Sequence, residues 1–175
     1  VWLIASTVVT LNLWRAHGAT FSGSVRAAFF TTTSIMSTTG FSTLDFDQWP
    51  AASKFILLLL MVGGGCVGST TGGIKNLRLL VALKKMIRQL KLFMHPQEVM
   101  PVKIGRQVVE DSVILNVLVF LGLYAITLVA ASAVMTAFTP DLESAVSAVF
   151  ACTGNVGPGV GIVGPTHNYA AIPDL

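Results

Sequence analysis

The chain has 175 residues, of which 53% are apolar and only 11% charged, with a mean hydropathy of +0.75. A soluble globular domain carries about 25% charged residues, so the composition excludes one and points to a membrane protein. The net charge of +3 matters less than its placement: eight of the eleven basic residues lie between Lys75 and Arg106, which marks that stretch as cytoplasmic. Because the stretch is interleaved with membrane helices, it argues against a nucleic-acid partner.

In chain order, residues 1–14 read as the outer end of a membrane helix, with Trp14 suited to the interface, and Arg15 to Ser24 as a polar link. Residues 25–37 are apolar and Thr-rich but too short to span, which predicts a re-entrant pore helix ending in Thr38-Thr39-Gly40-Phe41-Ser42. Asp45 to Pro50 returns the chain to the outer surface. The apolar run 51–62 covers only about 18 Å of a ~30 Å hydrocarbon core at ~1.5 Å per residue. It then meets Gly63, Gly64, Gly65, Gly68, Gly72 and Gly73, mixed with Ser69, Thr70 and Thr71. Irregular backbone at that depth must be buried in protein or line a water-filled cavity, and a helix broken this way points to a transport pathway. The second half of the broken helix, 74–93, is basic and amphipathic and stops at His95-Pro96.

A long helix is expected from about 102 to 138, because Ser112 to Phe138 runs 27 residues without a charge, and Thr139-Pro140 closes it. The order then repeats: Asp141 at a helix start, a short apolar segment Leu142 to Ala151, and the loop Cys152-Thr153-Gly154-Asn155-Val156-Gly157-Pro158. At an offset of 114 residues Thr38 falls on Cys152, Thr39 on Thr153 and Gly40 on Gly154. Pro173-Asp174 reads as the start of another spanning helix, and the chain as a fragment of a longer protein.

A re-entrant helix followed by Thr-x-Gly has a chemical use. Its C-terminal end favours a cation, and the loop beyond can aim successive carbonyls at one axis in place of an ion's water shell. Gly40 and Gly154 are expected to supply the positive φ that such a loop needs.

The segments Ser37 to Thr43, Gly68 to Lys75 and Gly154 to Gly159 resemble the Trk/Ktr/HKT potassium-transporter superfamily, and within it the TrkH-type pore-forming subunits. The resemblance covers essentially the whole chain. It implies an all-α polytopic membrane protein of four helix–pore-helix–helix repeats around one potassium-selective pore. Residues 1–93 would be the third repeat and 94–175 the fourth, without its final helix. It implies a selectivity filter at Thr38, Thr39, Gly40, Phe41, Cys152, Thr153, Gly154 and Asn155, with potassium held at Thr38–Gly40 and Cys152–Gly154. It implies a gating loop at Gly63, Gly64, Gly65, Gly68, Ser69, Thr70, Thr71, Gly72, Gly73 and Lys75. It further implies potassium as the transported ion, no bound cofactor, a homodimer in the lipid of a prokaryotic inner or plasma membrane, and a cytosolic nucleotide-binding regulatory subunit. Cys152 stands where a small residue such as Ala is common.

Single residues carry competing readings. Lys75 either tunes the gate or snorkels, and Ser69, Thr70 and Thr71 either face permeant ions or satisfy loop backbone. Asn116 reads as an interhelical hydrogen bond, Asp45 and Asp47 as a solvated loop, and Cys66 and Cys152 as small buried side chains. His17, His95 and His167 lack ligand spacing, so no metal site is expected. Gly68 to Lys75 fails as a phosphate loop because Ile74 separates Gly73 from Lys75, and no catalytic arrangement points to an enzyme. Two other readings stay open on the residues alone: a secondary transporter of sodium or another small solute with its site at the broken helix, and a membrane scaffold that transports nothing.

Overall fold

The computed structural model describes residues 1–17, 20–65, 68–69, 71–94, 101–105 and 107–172. Helix α1 (Trp2–His17) is followed closely by α2 (Phe21–Met36), a single 3-10 turn (Phe46–Gln48) and α3 (Ala51–Val62). Helix α4 (Asn76–Met94), a two-residue-per-strand hairpin β1 (Lys103–Ile104) and β2 (Gln107–Val108), and α5 (Asp111–Met135) come next. Helix α6 (Leu142–Thr153) and two further 3-10 turns, Gly161–Val163 and Tyr169–Ala171, complete the order.

Three expectations need correction. The polar link expected over Arg15 to Ser24 is mostly helix, and α2 begins at Phe21 rather than residue 25. Phe21 packs edge-on against Trp14, with ring centroids 5.8 Å apart, and this contact pins the tight connection that Ser22, Gly23 and Ser24 disguise as loop. The long helix starts at Asp111, not 102, because Gly105 at φ 60° turns the chain into the hairpin, with Lys103 opposite Val108. The fold is helical, as expected, with one short hairpin before α5. Cys152 lies in the last turn of α6 with its thiol unpaired and exposed, not buried. Asn116 is exposed on α5. Cys66, Thr70, His95-Pro96, Arg106 and Pro173-Asp174 lie outside the described residues.

Among the described residues one helix, α5, is long and apolar enough to cross a membrane: it has 25 residues, and its most apolar 18-residue window has a mean hydropathy of 2.5. At ~1.5 Å per residue it reaches about 37 Å. Its apolar side chains are largely exposed, among them Leu115, Leu123, Ile126 and Val129, unlike those of a core helix in a soluble protein. Helices α3 and α6 are apolar but only 12 residues each, too short to span.

Helix α1 packs on α2 and α3, α3 packs on α6, α6 on α5, and α5 on α4. The α3–α6 contact joins the two halves. The main core collects Val9 and Leu13 from α1, Ala28 and Ile35 from α2, Leu57 and Met61 from α3, and Ala151 from α6. Two hydroxyls inside it find partners, Thr32 donating to the Ala28 carbonyl at 2.7 Å and Ser53 reaching Asn12 on α1 at 3.1 Å, whereas the buried Ser24 and Thr31 hydroxyls have none among the described residues. A smaller core of Val81, Val102 and Ile114 fixes α4 on the start of α5. Around it the basic residues turn onto their own chain. Arg88 pairs with Asp111 at 2.9 Å, Lys84 donates to the Lys103 carbonyl at 2.6 Å, and Arg78 lies 4.0 Å from the Phe120 ring centroid.

Leu57 has no exposed surface and sits where α1, α2 and α3 meet. Leu57→Ala is expected to cost about 2–5 kcal/mol, read as a lowered melting midpoint in detergent micelles beside the unsubstituted protein.

Candidate functional site

Both short helices end the same way. In α2 the Thr39 amide reaches back to the Ser34 carbonyl at 2.9 Å and the Thr38 amide to Ile35 at 3.1 Å. In α6 the Val156 amide reaches Ala151 at 2.9 Å and the Asn155 amide reaches Cys152 at 3.2 Å. These crossed bonds form a Schellman motif, which requires a left-handed residue just past the helix. Thr38 at φ 57° and Asn155 at φ 55° fill that place. The caps before them match as well, Ser37 at φ −82° and Gly154 at φ −78°. Asn tolerates the left-handed region, whereas a β-branched Thr there is strained.

The motif fixes the register of the internal repeat. Thr38 corresponds to Asn155, Thr39 to Val156 and Gly40 to Gly157, 117 positions on, so the offset of 114 is wrong by about one helical turn. Cys152 and Thr153 are helical, and the Cys152 carbonyl is taken up by the Asn155 amide. Gly154 does not supply positive φ. It is small because a Cβ there would stand 2.7 Å from the Met61 carbonyl oxygen of α3. The positive φ belongs to Gly40 (76°) and Gly157 (103°). The sequence did hold one signal for this register, since Gly-Asn after an apolar helix is a C-terminal cap signature.

The two loops meet through backbone. A Cβ on Gly40 would collide with the Val156 carbonyl oxygen and stand 3.0 Å from Pro158 Cδ. Phe41 itself is exposed, and its carbonyl accepts the Ser34 hydroxyl at 2.6 Å, which turns it back onto α2. In the second loop the Gly157 carbonyl accepts the Tyr169 hydroxyl at 2.7 Å. Burial, with the neighbouring Cys152 thiol, raises Tyr169 above the ordinary tyrosine value, so it remains a donor through the physiological range.

The glycine-rich stretch lies against the second loop. A Cβ on Gly72 would be 2.5 Å from the Gly154 carbonyl oxygen and 3.0 Å from that of Thr153. Those two carbonyls therefore face Gly72. The stretch is a closed loop: the Val62 carbonyl receives the amides of both Gly64 and Ile74 at 3.0 Å. Gly63 ends α3, its amide bonding Leu59, and Gly73 turns the return at φ 72°. Inside the loop the Thr71 hydroxyl accepts the Gly65 amide at 3.0 Å and contacts the Ser69 hydroxyl at 2.7 Å. Lys75 donates to the Ser69 carbonyl, so its ammonium faces into the loop rather than snorkelling away from it. Gly68, at φ 86°, has open space where a side chain would be.

At the other end of these helices lies a polar layer, in which Asp47, expected in a solvated loop, is engaged. Asp47 Oδ1 accepts the Gly161 amide at 2.9 Å, and Lys54 reaches Glu143 at 2.7 Å.

Residues 3–172 match the family model described as TrkH, cation transport protein. The chain belongs to the TrkH family of cation transport proteins. That is a family of transporters and not of enzymes. This TrkH-family chain is 33% identical over 168 residues to the Trk system potassium uptake protein TrkH of Halomonas elongata, covering 96% of this chain and 34% of that protein. It is 39% identical over 136 residues to TrkH of Vibrio parahaemolyticus, covering 78% of this chain and 28% of the relative. Its fold superposes on the crystal structure of the potassium transporter TrkH from Vibrio parahaemolyticus with a TM-score of 0.84 at 36% identity, covering 93% of this chain and 35% of that one. The chain thus spans about a third of the length of the curated relatives it matches.

Left-handed Thr38 is expected to cost on the order of 1 kcal/mol. Thr38→Asn should raise the melting midpoint and Asn155→Val should lower it by a similar amount; calorimetry or a fluorescence melt reads both.

Proposed function

We propose that this chain supplies two pore repeats of a potassium uptake protein, residues 1–93 and 94–175, in a multi-pass protein of a prokaryotic cell membrane. In this reading α2 and α6 are re-entrant pore helices, and α3 with α4 is one transmembrane helix broken at the glycine-rich stretch. Permeation is channel-like. Carbonyls of Thr38, Thr39 and Gly40 face those of Asn155 and Val156 across the ion path and replace the water shell of a dehydrated potassium ion, while Gly157 turns the loop and its carbonyl is held by the Tyr169 hydroxyl. This moves the second half of the filter from Cys152–Asn155 to Asn155–Gly157.

The observation that carries the reading is the direct backbone contact of Gly40 with Val156 and Pro158, between loops launched by identically capped short helices. A pair of unrelated turns has no reason to share hydrogen bonds, left-handed residues and a contact. The names of the matched relatives and of the superposed structure support potassium as the ion.

The stretch 63–73 with Lys75 is read as the gate. It lies against the second loop at Gly72, and its closure rests on few groups: the Val62 carbonyl, the Thr71 hydroxyl and the Lys75 ammonium. Thr70, which the gate also includes, lies outside the described residues. The homodimer and the cytosolic nucleotide-binding regulatory subunit are proposed on family grounds, with 75–106 as the candidate contact.

Flux in liposomes carrying the natural protein tests these roles. Gly40→Ser and Gly157→Ser should each lower potassium-over-sodium preference by roughly tenfold, about 1.4 kcal/mol between the ions. Gly154→Ser should instead reduce the yield of folded protein, because its side chain meets α3. Equal loss of preference at Gly154 with none at Gly157 would restore the earlier register. Deleting part of 64–72 should raise flux with the ion preference kept; a collapse of preference would place the stretch in the filter.

A further inference from the structure

Outside the two loops and the glycine-rich stretch, Lys54 contacts both halves of the chain. It lies in the first turn of α3, its side chain 18% exposed. Its ammonium is 2.7 Å from Glu143 Oε1, in the first turn of α6, and 3.7 Å from Asp47 Oδ1, in the turn that follows the first loop. The same Asp47 oxygen accepts the amide of Gly161, in the turn that follows the second loop. Ser144, beside Glu143, accepts the Ile162 amide of that turn at 3.1 Å. The downstream ends of both loops and the upstream end of α6 are thus tied to one ammonium, directly or through one carboxylate.

The placement has a physical logic. A cation in the first turn of a helix sits against the helix dipole, so α3 gains nothing from Lys54 by itself. Two carboxylates brought this close repel unless a cation lies between them, and partial exclusion of water strengthens both effects. Without the ammonium, Asp47 and Glu143 separate, and Asp47 takes the Gly161 amide with it. The second loop then loses its fixed distance from the first.

We propose that Lys54 is a positioning residue that holds the downstream ends of the two filter loops at a fixed spacing and thereby sets the ion preference of the filter. The inference rests on the filter reading given above and adds to it a residue that neither loop contains.

The test uses the natural protein with Cys66 and Cys152 replaced by Ser and spin labels at Thr43 and His167, both exposed and beyond the loops. Pulsed electron resonance should give one narrow distance distribution, broadened in Lys54→Met and restored in Lys54→Arg. In liposomes Lys54→Met should lower the potassium-over-sodium permeability ratio by roughly fivefold, while Lys54→Arg stays within about twofold of the unsubstituted protein. An unchanged distribution in Lys54→Met overturns the clamp whatever ion the protein carries. A broadened distribution with an unchanged ratio overturns its link to ion preference. Absence of potassium flux in the unsubstituted protein would sink the functional reading instead, and the spin-label result would still judge the clamp. Should Lys54→Met fail to fold, Glu143→Gln leaves Lys54 paired with Asp47 and gives the same two readouts with smaller changes.

Discussion

Gly40, Gly72 and Gly154 each bring a peptide carbonyl of another segment into the space that a side chain would fill, and the arrangement of three irregular segments rests on those contacts. Irregular backbone cannot face lipid, because its amides and carbonyls would lack partners there. This chain meets that constraint by stacking its irregular segments on one another and on the ends of α2, α3 and α6. The glycine-rich stretch closes on the Val62 carbonyl, the second loop closes on α6, and Gly72 seals the one against the other. Any side chain at the three glycines would push these segments apart.

The repeated Schellman motif explains how two dissimilar sequences build one shape. Ser37-Thr38-Thr39-Gly40 and Gly154-Asn155-Val156-Gly157 share only their last residue, yet their hydrogen bonds agree within about 0.1 Å. The motif depends on backbone torsions, and Thr and Asn reach the same left-handed state at different cost. That the costlier residue is retained in the first loop marks it as a place where local stability gives way to another demand.

The two ends of the short helices are built from opposite materials. The loop end is backbone and glycine with few charges, so carbonyl groups are what it can offer an ion. The other end is a lattice of Asp47, Lys54 and Glu143, in which full charges neutralise one another and receive backbone amides. Dipoles can exchange places with water around a cation at little net cost, whereas a full charge beside the path would trap or expel it. On the proposed filter reading, segregating charge from carbonyls in this way leaves the loops free for selective contact.

Hydropathy and chain length alone determined much of this protein. The long apolar helix α5, the shorter helices α2, α3 and α6, and the glycine break after Val62 follow from the ~30 Å span that a membrane helix must cover and from the cost of unpaired backbone. The motif residues were enough to place the chain in its family. Register was legible only in the Gly154-Asn155 cap signature, because matching Thr-x-Gly to Thr-x-Gly compares side chains while the repeat is carried by hydrogen bonds at the helix ends. The hairpin before α5 and the first turn of α2 were hidden for a similar reason: Gly105 and the Phe21–Trp14 contact act through geometry that composition does not record. Only the tertiary structure could assign Gly154 to a close approach and Gly157 to a left-handed turn, or gather Asp47, Lys54 and Glu143. Those roles depend on which carbonyl or charge from a distant segment arrives beside the residue, and a linear sequence does not state that.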